Sequence, residues 1–586
     1  MPDFLLEIGT EELPASAVYE GMEQLEERAP VLLERERLRF EDLRAMGTPR
    51  RLVLEVKGLP EAAGDTVVRK KGPPLSAAKS EDGSWSKAAV GFARSQGIEP
   101  DALEIGETEK GSYLFAVSRK AGRPAVTVLA GLLPELVGSL RFSKSMRWGN
   151  GEERFSRPVR WLLAMFGSDV VEFAFAGLRS SNTSQGHRQL SCGTVEVGSP
   201  GDYQAALERA FVVVDHLRRR RAIVGSAERL CSENDMIPVI DEGVLAEVVQ
   251  MVEWPGVVLG RFDKKFLTLP REVLVHAMQS HQRYFPVEDG KGNISDGFLA
   301  VHNGDRNSED LIRKGHERVL AARLSDARFF YAEDLKLPLE QRAGELEHVV
   351  YQSELGSMAE KSKRLAWLTG TICEQLGLDP ETRGRAERAA VLAKCDLVTN
   401  MVVEFPQLQG TMGRIYALAS GEEETVARAI GELYLPRRPG DALPSTTEGA
   451  VLSLADKMDN LAASFGLGHH PTGSVDPYGL RRQVVGALLI MLEREYYLSV
   501  ALLVREAARR IEAEAHGFTW DEKAEAAFKE FFSARERVFF TDRGYRYDLV
   551  EAVLALDWDR PASAAARLDA LAEAREAGVL SKLFTA

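Results

Sequence analysis

The feature that most constrains this fold is a change of hydrophobic period near residue 335. Before it, short runs rich in β-branched and aromatic residues alternate with segments spaced at helical intervals. FLLEIGT (4–10), RRLVLEVKG (50–58), SYLFAVSRK (112–120), VRWLLAMFG (159–167), VVEFAFAG (170–177) and DGFLAVHN (296–303) are bounded by Gly, Pro or Asn and read as strands. Residues 16–38, 87–97 and 124–140 read as helices between them. HERVLAARLSDARFFYAEDL (316–335) puts Leu320, Leu324, Ala327 and Tyr331 on one stripe of a long helix, a hinge between halves. Beyond it alternation disappears, and Ala/Leu/Glu/Arg-rich segments follow at 358–376, 384–402, 422–434, 447–465, 478–515, 521–539 and 562–584. The expectation is a multidomain α+β chain, with a mixed α/β N-terminal half followed by an all-α half. No repeat of fixed period suggests a solenoid.

A length of 586 residues calls for several packed units rather than one core. With 74 Lys+Arg against 88 Asp+Glu the net charge is −14, so this is no uniformly basic nucleic-acid coat. Basic surface must be local. Cys192, Cys231, Cys373 and Cys395 lie far apart without a C-x-x-C pair, which supports neither a disulfide scaffold nor a zinc ribbon. MPDFLLEIGTEELP lacks a basic n-region and does not read as a signal peptide, and EVVQMVEWPGVVLG is broken by Glu253 and Pro255. The expectation is a cytoplasmic chain with no membrane contact.

The strongest local constellation is LRFSKSMRWGNGEERFSRPVRWLLAMFG (140–167). Arg141, Lys144, Arg147, Arg154, Arg157 and Arg160 face only Glu152 and Glu153, and Phe142, Trp148 and Phe155 interleave as stacking surfaces for RNA. The alternative is a salt-bridged loop whose aromatics fill the core. Arg218 to Arg221 fan around a helix, so one or two can meet a phosphate and the rest form a polar face. Neither the His469–His470 pair nor the five-residue spacing of His276 and His281 suits zinc.

AKCDLVTNMV (393–402) and LSLADKMDNLAASF (452–465) each place an Asp inside an apolar helical segment, where an unpaired carboxylate is costly. They resemble the helices of HD-superfamily phosphohydrolases. On that resemblance Asp396 and Asp456 stand at the aspartate positions while Cys395 replaces the paired histidine, implying a vestigial site that binds no metal. The plainer reading pairs both aspartates with cations such as Lys394 or Lys457, or uses them as backbone caps. G-x-x-x-x-G-K-[ST], G-x-S-x-G and Rossmann fingerprints are absent.

FLLEIGTEELP, TPRRLVLEV (48–56), the 142–167 block, SQGHRQL (184–190), VEWPGVVLGRFDKKFLTLPREVL (252–274), HQRYFPV (281–287), FPQLQGTMGRIYA (405–417) and LADKMDN through PTGSVDPYGLRR (454–482) together resemble the β subunit of bacterial glycyl-tRNA synthetase. The resemblance covers essentially the whole chain. It implies the non-catalytic half of an α2β2 aminoacyl-tRNA ligase: the α subunit activates glycine with ATP and Mg²⁺, while β binds tRNA(Gly) and has neither a catalytic residue nor a cofactor of its own. It further implies a B3/B4-like module over 1–335, an inert HD-like domain over 336–515 and the opening of a helical anticodon-binding domain over 516–586. Arg50, Arg51, Lys144, Arg147, Arg157, Arg160 and Arg188 fall in the matching blocks and suit phosphate contact. Family members continue beyond LSKLFTA, so a trimmed last domain is expected, with Leu580, Leu583 and Phe584 forming an unfinished apolar stripe. The rival functions are an active HD phosphohydrolase and a scaffold that binds RNA weakly or not at all.

Overall fold

The computed structural model describes residues 1–79, 84–108, 111–191, 193–471, 473, 475–515 and 517–577. The chain divides into two compact units, one of Met1–Lys264 with Met278–Leu320 and one of Lys265–Ala277 with the described part of 321–586. Strands concentrate in the first and helices dominate the second. The division falls inside the helix Glu309–Asp334, the one expected over 316–335.

Among the described residues the first unit carries a seven-stranded sheet. Its order is Asp42–Thr48, Arg51–Lys57, Phe4–Thr10, Val159–Phe166, Leu178–Ser181, Ala174–Phe175, with Asp169–Val170 paired beside Val159–Phe166. Leu6, Ile8, Leu54, Val56, Leu162 and Ala164 face the helices Ala15–Arg35 and Ala125–Ser139. Leu5, Val53, Leu163 and Met165 face Val197, Tyr203, Leu207 and Val212 on the other side. Burial on both faces explains why FLLEIGT is almost continuously apolar rather than alternating. Glu7 and Arg51 therefore sit where only apolar side chains are cheap.

Three smaller sheets among the described residues complete this unit, the smallest pairing Thr183–Gln185 with Thr194–Glu196. Ile237–Pro238, Phe285–Glu288, Ile294–His302 and Gly256–Arg261 pack against the helices His216–Ser232 and Glu242–Val249. Thr66–Pro74, Gly111–Lys120 and Glu104–Thr108 pair beside the helix Lys87–Ser95. The strand expected over 170–177 is broken. Ala176 and Gly177 both take positive φ (51° and 76°), making a tight turn that pairs Phe175 with Leu178.

The second unit is built round the helix Thr447–Gly466, buried along nearly its whole length. A helix enclosed on all sides must be apolar all round or pair its polar groups internally, and its Ser453, Asp456, Lys457 and Asp459 are all buried. Helical expectations here hold except at three places. The segment 384–402 splits into Pro380–Leu392, a 3₁₀ turn Cys395–Val398 and Asn400–Glu404, because Thr399 is extended and its hydroxyl caps Val402 N. The segment 478–515 splits into Leu480–Glu493 and Val500–Glu514, where Glu495 turns to φ 53° and Ser499 caps the second helix. A short hairpin, Val350–Gln352 with Gly356–Ser357, interrupts the otherwise helical half. The final helix runs Pro561–Glu576; the stripe expected from Leu580, Leu583 and Phe584 lies outside the described residues, as does Cys192.

Candidate functional site

Blocks distant in sequence meet at the second face of the large sheet. Glu7 Oε1 accepts from Trp161 Nε1 (2.6 Å), Ser184 Oγ (2.7 Å) and Arg51 Nη1 (3.2 Å). Glu253 Oε1 accepts from Thr48 Oγ1 (2.7 Å) and Arg51 Nε (3.2 Å). Burial alone would push the Glu253 carboxyl up, but Arg51, Thr48 and Arg50 hold it below its usual value. Arg51, proposed from sequence as a phosphate ligand, is fully buried between these two carboxylates, so that assignment is corrected. A guanidinium without surface cannot meet a tRNA backbone. Arg50 keeps a partly exposed edge, lying 3.6 Å from Glu253 and donating to Gly186 O (3.0 Å).

Sequence reasoning missed Glu7 and Glu253 as organising residues. The available signal was a carboxylate set inside an apolar run, which demands a buried cation.

The remaining cations lie on the surface. Arg188 pairs with Glu11 (2.8 Å) and Glu12 (3.1 Å), and Arg160 lies 3.4 Å from the same Glu11. Exposed pairs of this kind contribute little and exchange readily for another anion. Between the helix Ala125–Ser139 and the strand Val159–Phe166, the loop is pinned by a bridge between Met146 and Phe155. Phe155 is buried and Phe142 packs on it with ring centres 4.7 Å apart, while Trp148 leans on the same core. Phe155 is therefore a core residue and not a stacking surface, a second correction. Lys144 and Arg147 are exposed, and Arg157 is half-exposed and donates to Ser156 O (2.9 Å). None of these three has a carboxylate partner among the described residues. The loop thus concentrates uncompensated positive charge in a chain of net −14.

The four-arginine run divides by direction. Arg219 is buried and donates to Val213 O, Val214 O, Val249 O, Gly47 O and Gln250 Oε1. Arg218 and Arg220 pair with Glu208 and Glu242, and Arg221 is exposed.

In the second unit a buried charge cluster joins the helices Met358–Gln375 and Thr447–Gly466. Asp459 accepts from Lys361 Nζ (2.7 Å) and Arg364 Nε (2.9 Å). Asp456 lies 3.2 Å from Lys394 Nζ and 3.4 Å from Lys361 Nζ; despite burial, those ammonium groups hold its carboxyl well below the ordinary range. Asp396 Oδ2 accepts backbone N–H from Gly410 (2.6 Å) and Gly413 (3.0 Å), and burial raises its carboxyl to about 6 against those bonds. A Cβ on Gly413 would sit 3.1 Å from that oxygen and 2.7 Å from Ile430 Cγ2. Cys395 is buried, its Sγ donating toward Val391 O at 3.6 Å. Among the described residues no group of three His, Cys, Asp or Glu is arranged to hold a metal ion. Nor, among them, is any helix long and apolar enough to cross a membrane.

The exposed cations of the 140–160 loop suit contact with a polyanion. Comparison makes this specific. The family model described as glycyl-tRNA synthetase beta subunit matches residues 4–555. The chain is 46% identical over 557 residues to the glycine–tRNA ligase beta subunit of Desulforudis audaxviator, covering 94% of this chain and 80% of that one. It is 42% identical over 584 residues to that of Desulforamulus reducens, covering 100% and 84%, and 43% identical over 570 residues to that of Geobacter sulfurreducens, covering 97% and 82%. The chain belongs to the glycyl-tRNA synthetase beta subunit family.

Proposed function

We propose that this chain works as the β subunit of an α2β2 glycine–tRNA ligase, binding tRNA(Gly) while an α subunit attaches glycine with ATP and Mg²⁺. Family membership over residues 4–555 is the observation that carries the reading. The carboxylate-free Lys144, Arg147 and Arg157 support the RNA contact, with Arg160 and Arg188 as flanking cations whose surface partners a phosphate can replace and Arg50 adding its partly exposed edge. The chain itself supplies no adenylate chemistry, because no phosphate-cradling loop is present in its sequence. Residues 336–515 are proposed as an HD-like domain with Cys395, Asp396 and Asp456 at its former metal positions, between a B3/B4-like region over 1–335 and the start of an anticodon-binding domain over 516–586. The working place of such a ligase is the cytoplasm.

The test is glycine charging with purified subunits. The chain alone should neither exchange pyrophosphate nor charge tRNA, and adding it to α should raise charging strongly. Glycine-dependent exchange by the chain free of α, or charging by α that ignores the chain, defeats the proposal.

A further inference from the structure

In the second unit, a pocket of about 290 Å³ opens beside the buried charge cluster, lined by Gln409, Tyr434, Arg437, Asp456, Lys457 and Arg482 among others. Its charge balance is unusual for this chain. The cations in and behind it are Lys361, Arg364, Lys394, Lys457, Arg437 and Arg482. Against them stand Asp456 and Asp459, already met by Lys361, Lys394 and Arg364, and Asp396, whose carboxylate is spent on backbone N–H groups. The side chains of Lys457, Arg437 and Arg482 make no ion pair among the described residues, although Asp441 Oδ2 accepts from the backbone N–H of Arg437 (3.0 Å).

The donors that face this space are only partly used. Lys457 is 3% exposed and donates to Ser453 Oγ (2.7 Å) and Leu435 O (2.9 Å), leaving one of its three N–H groups over. Tyr434 Oη accepts from Lys394 Nζ (3.2 Å), so its own proton has no acceptor among the described residues. Arg437 and Arg482 are exposed at the rim; the Arg437 side chain reaches a single backbone carbonyl, Gln409 O, at 3.4 Å. A buried ammonium, a phenol with an unused proton and two guanidinium groups without a carboxylate partner line one space large enough for more than a bare ion.

We propose that this pocket is a phosphate-binding site, in which Arg437, Lys457 and Arg482 hold the phosphate of a phosphorylated small molecule or of an RNA strand. Several excess positive charges match a phosphate dianion better than a single carboxylate, and the guanidinium fork pairs with phosphate oxygens bidentately. Gln409 and Gln483 offer amide groups to the remainder of the ligand. The inference stands on the pocket alone and is independent of how the first unit meets tRNA.

The experiment uses the full chain with inorganic phosphate, adenosine 5′-monophosphate and tRNA as probes, at ionic strength fixed with sodium chloride. Millimolar phosphate should raise Tm beyond chloride, and calorimetry should show the nucleotide binding at one site. R437A/R482A, which removes two exposed side chains, should weaken both at least about tenfold while leaving Tm in chloride unchanged. K457M, read by the same calorimetry, should weaken them as well. If tRNA displaces the nucleotide and R437A/R482A binds tRNA more weakly, the phosphate comes from the RNA strand; if the two bind without competition, it comes from a small molecule. No stabilisation beyond chloride, or equal binding by wild type and R437A/R482A, overturns the proposal.

Discussion

Removing Asp459 should cost more than any surface change in the second unit. Its Oδ1 accepts from Arg364 Nε at 2.9 Å and its Oδ2 from Lys361 Nζ at 2.7 Å, and both cations are 2% exposed. In Asp459→Ala, Lys361 keeps Asp456 at 3.4 Å and Asn460 Oδ1 at 2.8 Å, but Arg364 loses both of its side-chain hydrogen bonds. Stranding one buried charge costs about 3–5 kcal/mol. At about 2 °C per kcal/mol for a unit of this size, Tm should fall by about 6–10 °C. Asp459→Asn, which keeps shape and one acceptor, should fall between. The pH dependence follows from the direction of the shift: although burial opposes it, Lys361 and Arg364 hold the Asp459 carboxyl below its usual value. Its contribution is present above the ordinary carboxylate range and is lost as pH falls through the lowered value, so wild type and variant should converge in acid. Differential scanning calorimetry of the whole chain from neutral pH downward is the assay. A Tm within about 2 °C of wild type at neutral pH would refute the reasoning, because the two cations would then have found other partners or water.

Arg51→Ala should act on folding and not on RNA contact. It leaves Glu7 buried without a cation and Glu253 with Arg50 alone at 3.6 Å, costing about 3–5 kcal/mol, while the salt dependence of tRNA binding by the folded fraction stays at the wild-type slope; a changed slope with unchanged Tm would contradict this. Glu536 is buried with neither carboxyl oxygen hydrogen-bonded among the described residues, and burial, then Asp559 and Asp557, push its carboxyl well up. Its protonation cost is absent near pH 4.5 and grows as pH rises. Glu536→Met should therefore raise Tm near neutral pH by more than it does in acid, and an advantage independent of pH in thermal melts would count against it.

Elements were legible where local pattern and tertiary need agree. FLLEIGT and VRWLLAMF form Phe4–Thr10 and Val159–Phe166 because apolar runs suit a sheet covered on both faces. The break at Ala176–Gly177 was hidden because period-2 counting ignores a turn whose Gly is its only marker. The interruptions at Thr399 and Ser499 carried a legible signal, a hydroxyl residue capping the next helix, but continuous helical spacing outweighed it.

The surface cations of 140–160 could be located from sequence, since short cationic loops stay solvated whatever packs beneath them. Whether a charged residue faces water or core could not. Arg50 and Arg51 both reach Glu253, yet Arg51 is fully enclosed between two carboxylates while Arg50 keeps a partly exposed edge, a difference set by tertiary packing and not by local pattern. Phe155 and Phe142 likewise looked equivalent until the Met146–Phe155 bridge turned Phe155 inward. The charge cluster around Asp456 and Asp459 joins residues about a hundred positions apart, beyond the reach of local reading.

The measurement that bears most directly on the central claim is tRNA affinity across a range of salt concentrations, for wild type and for Lys144, Arg147 and Arg157 replaced together by Ala. Each phosphate contact contributes about 0.7–0.9 to the slope of log affinity against log salt, so the triple variant should lose roughly 2 to 3 from that slope with little change in Tm. Equal affinity and slope in wild type and variant would mean that the loop is a solvated face and that this chain meets tRNA elsewhere or not at all.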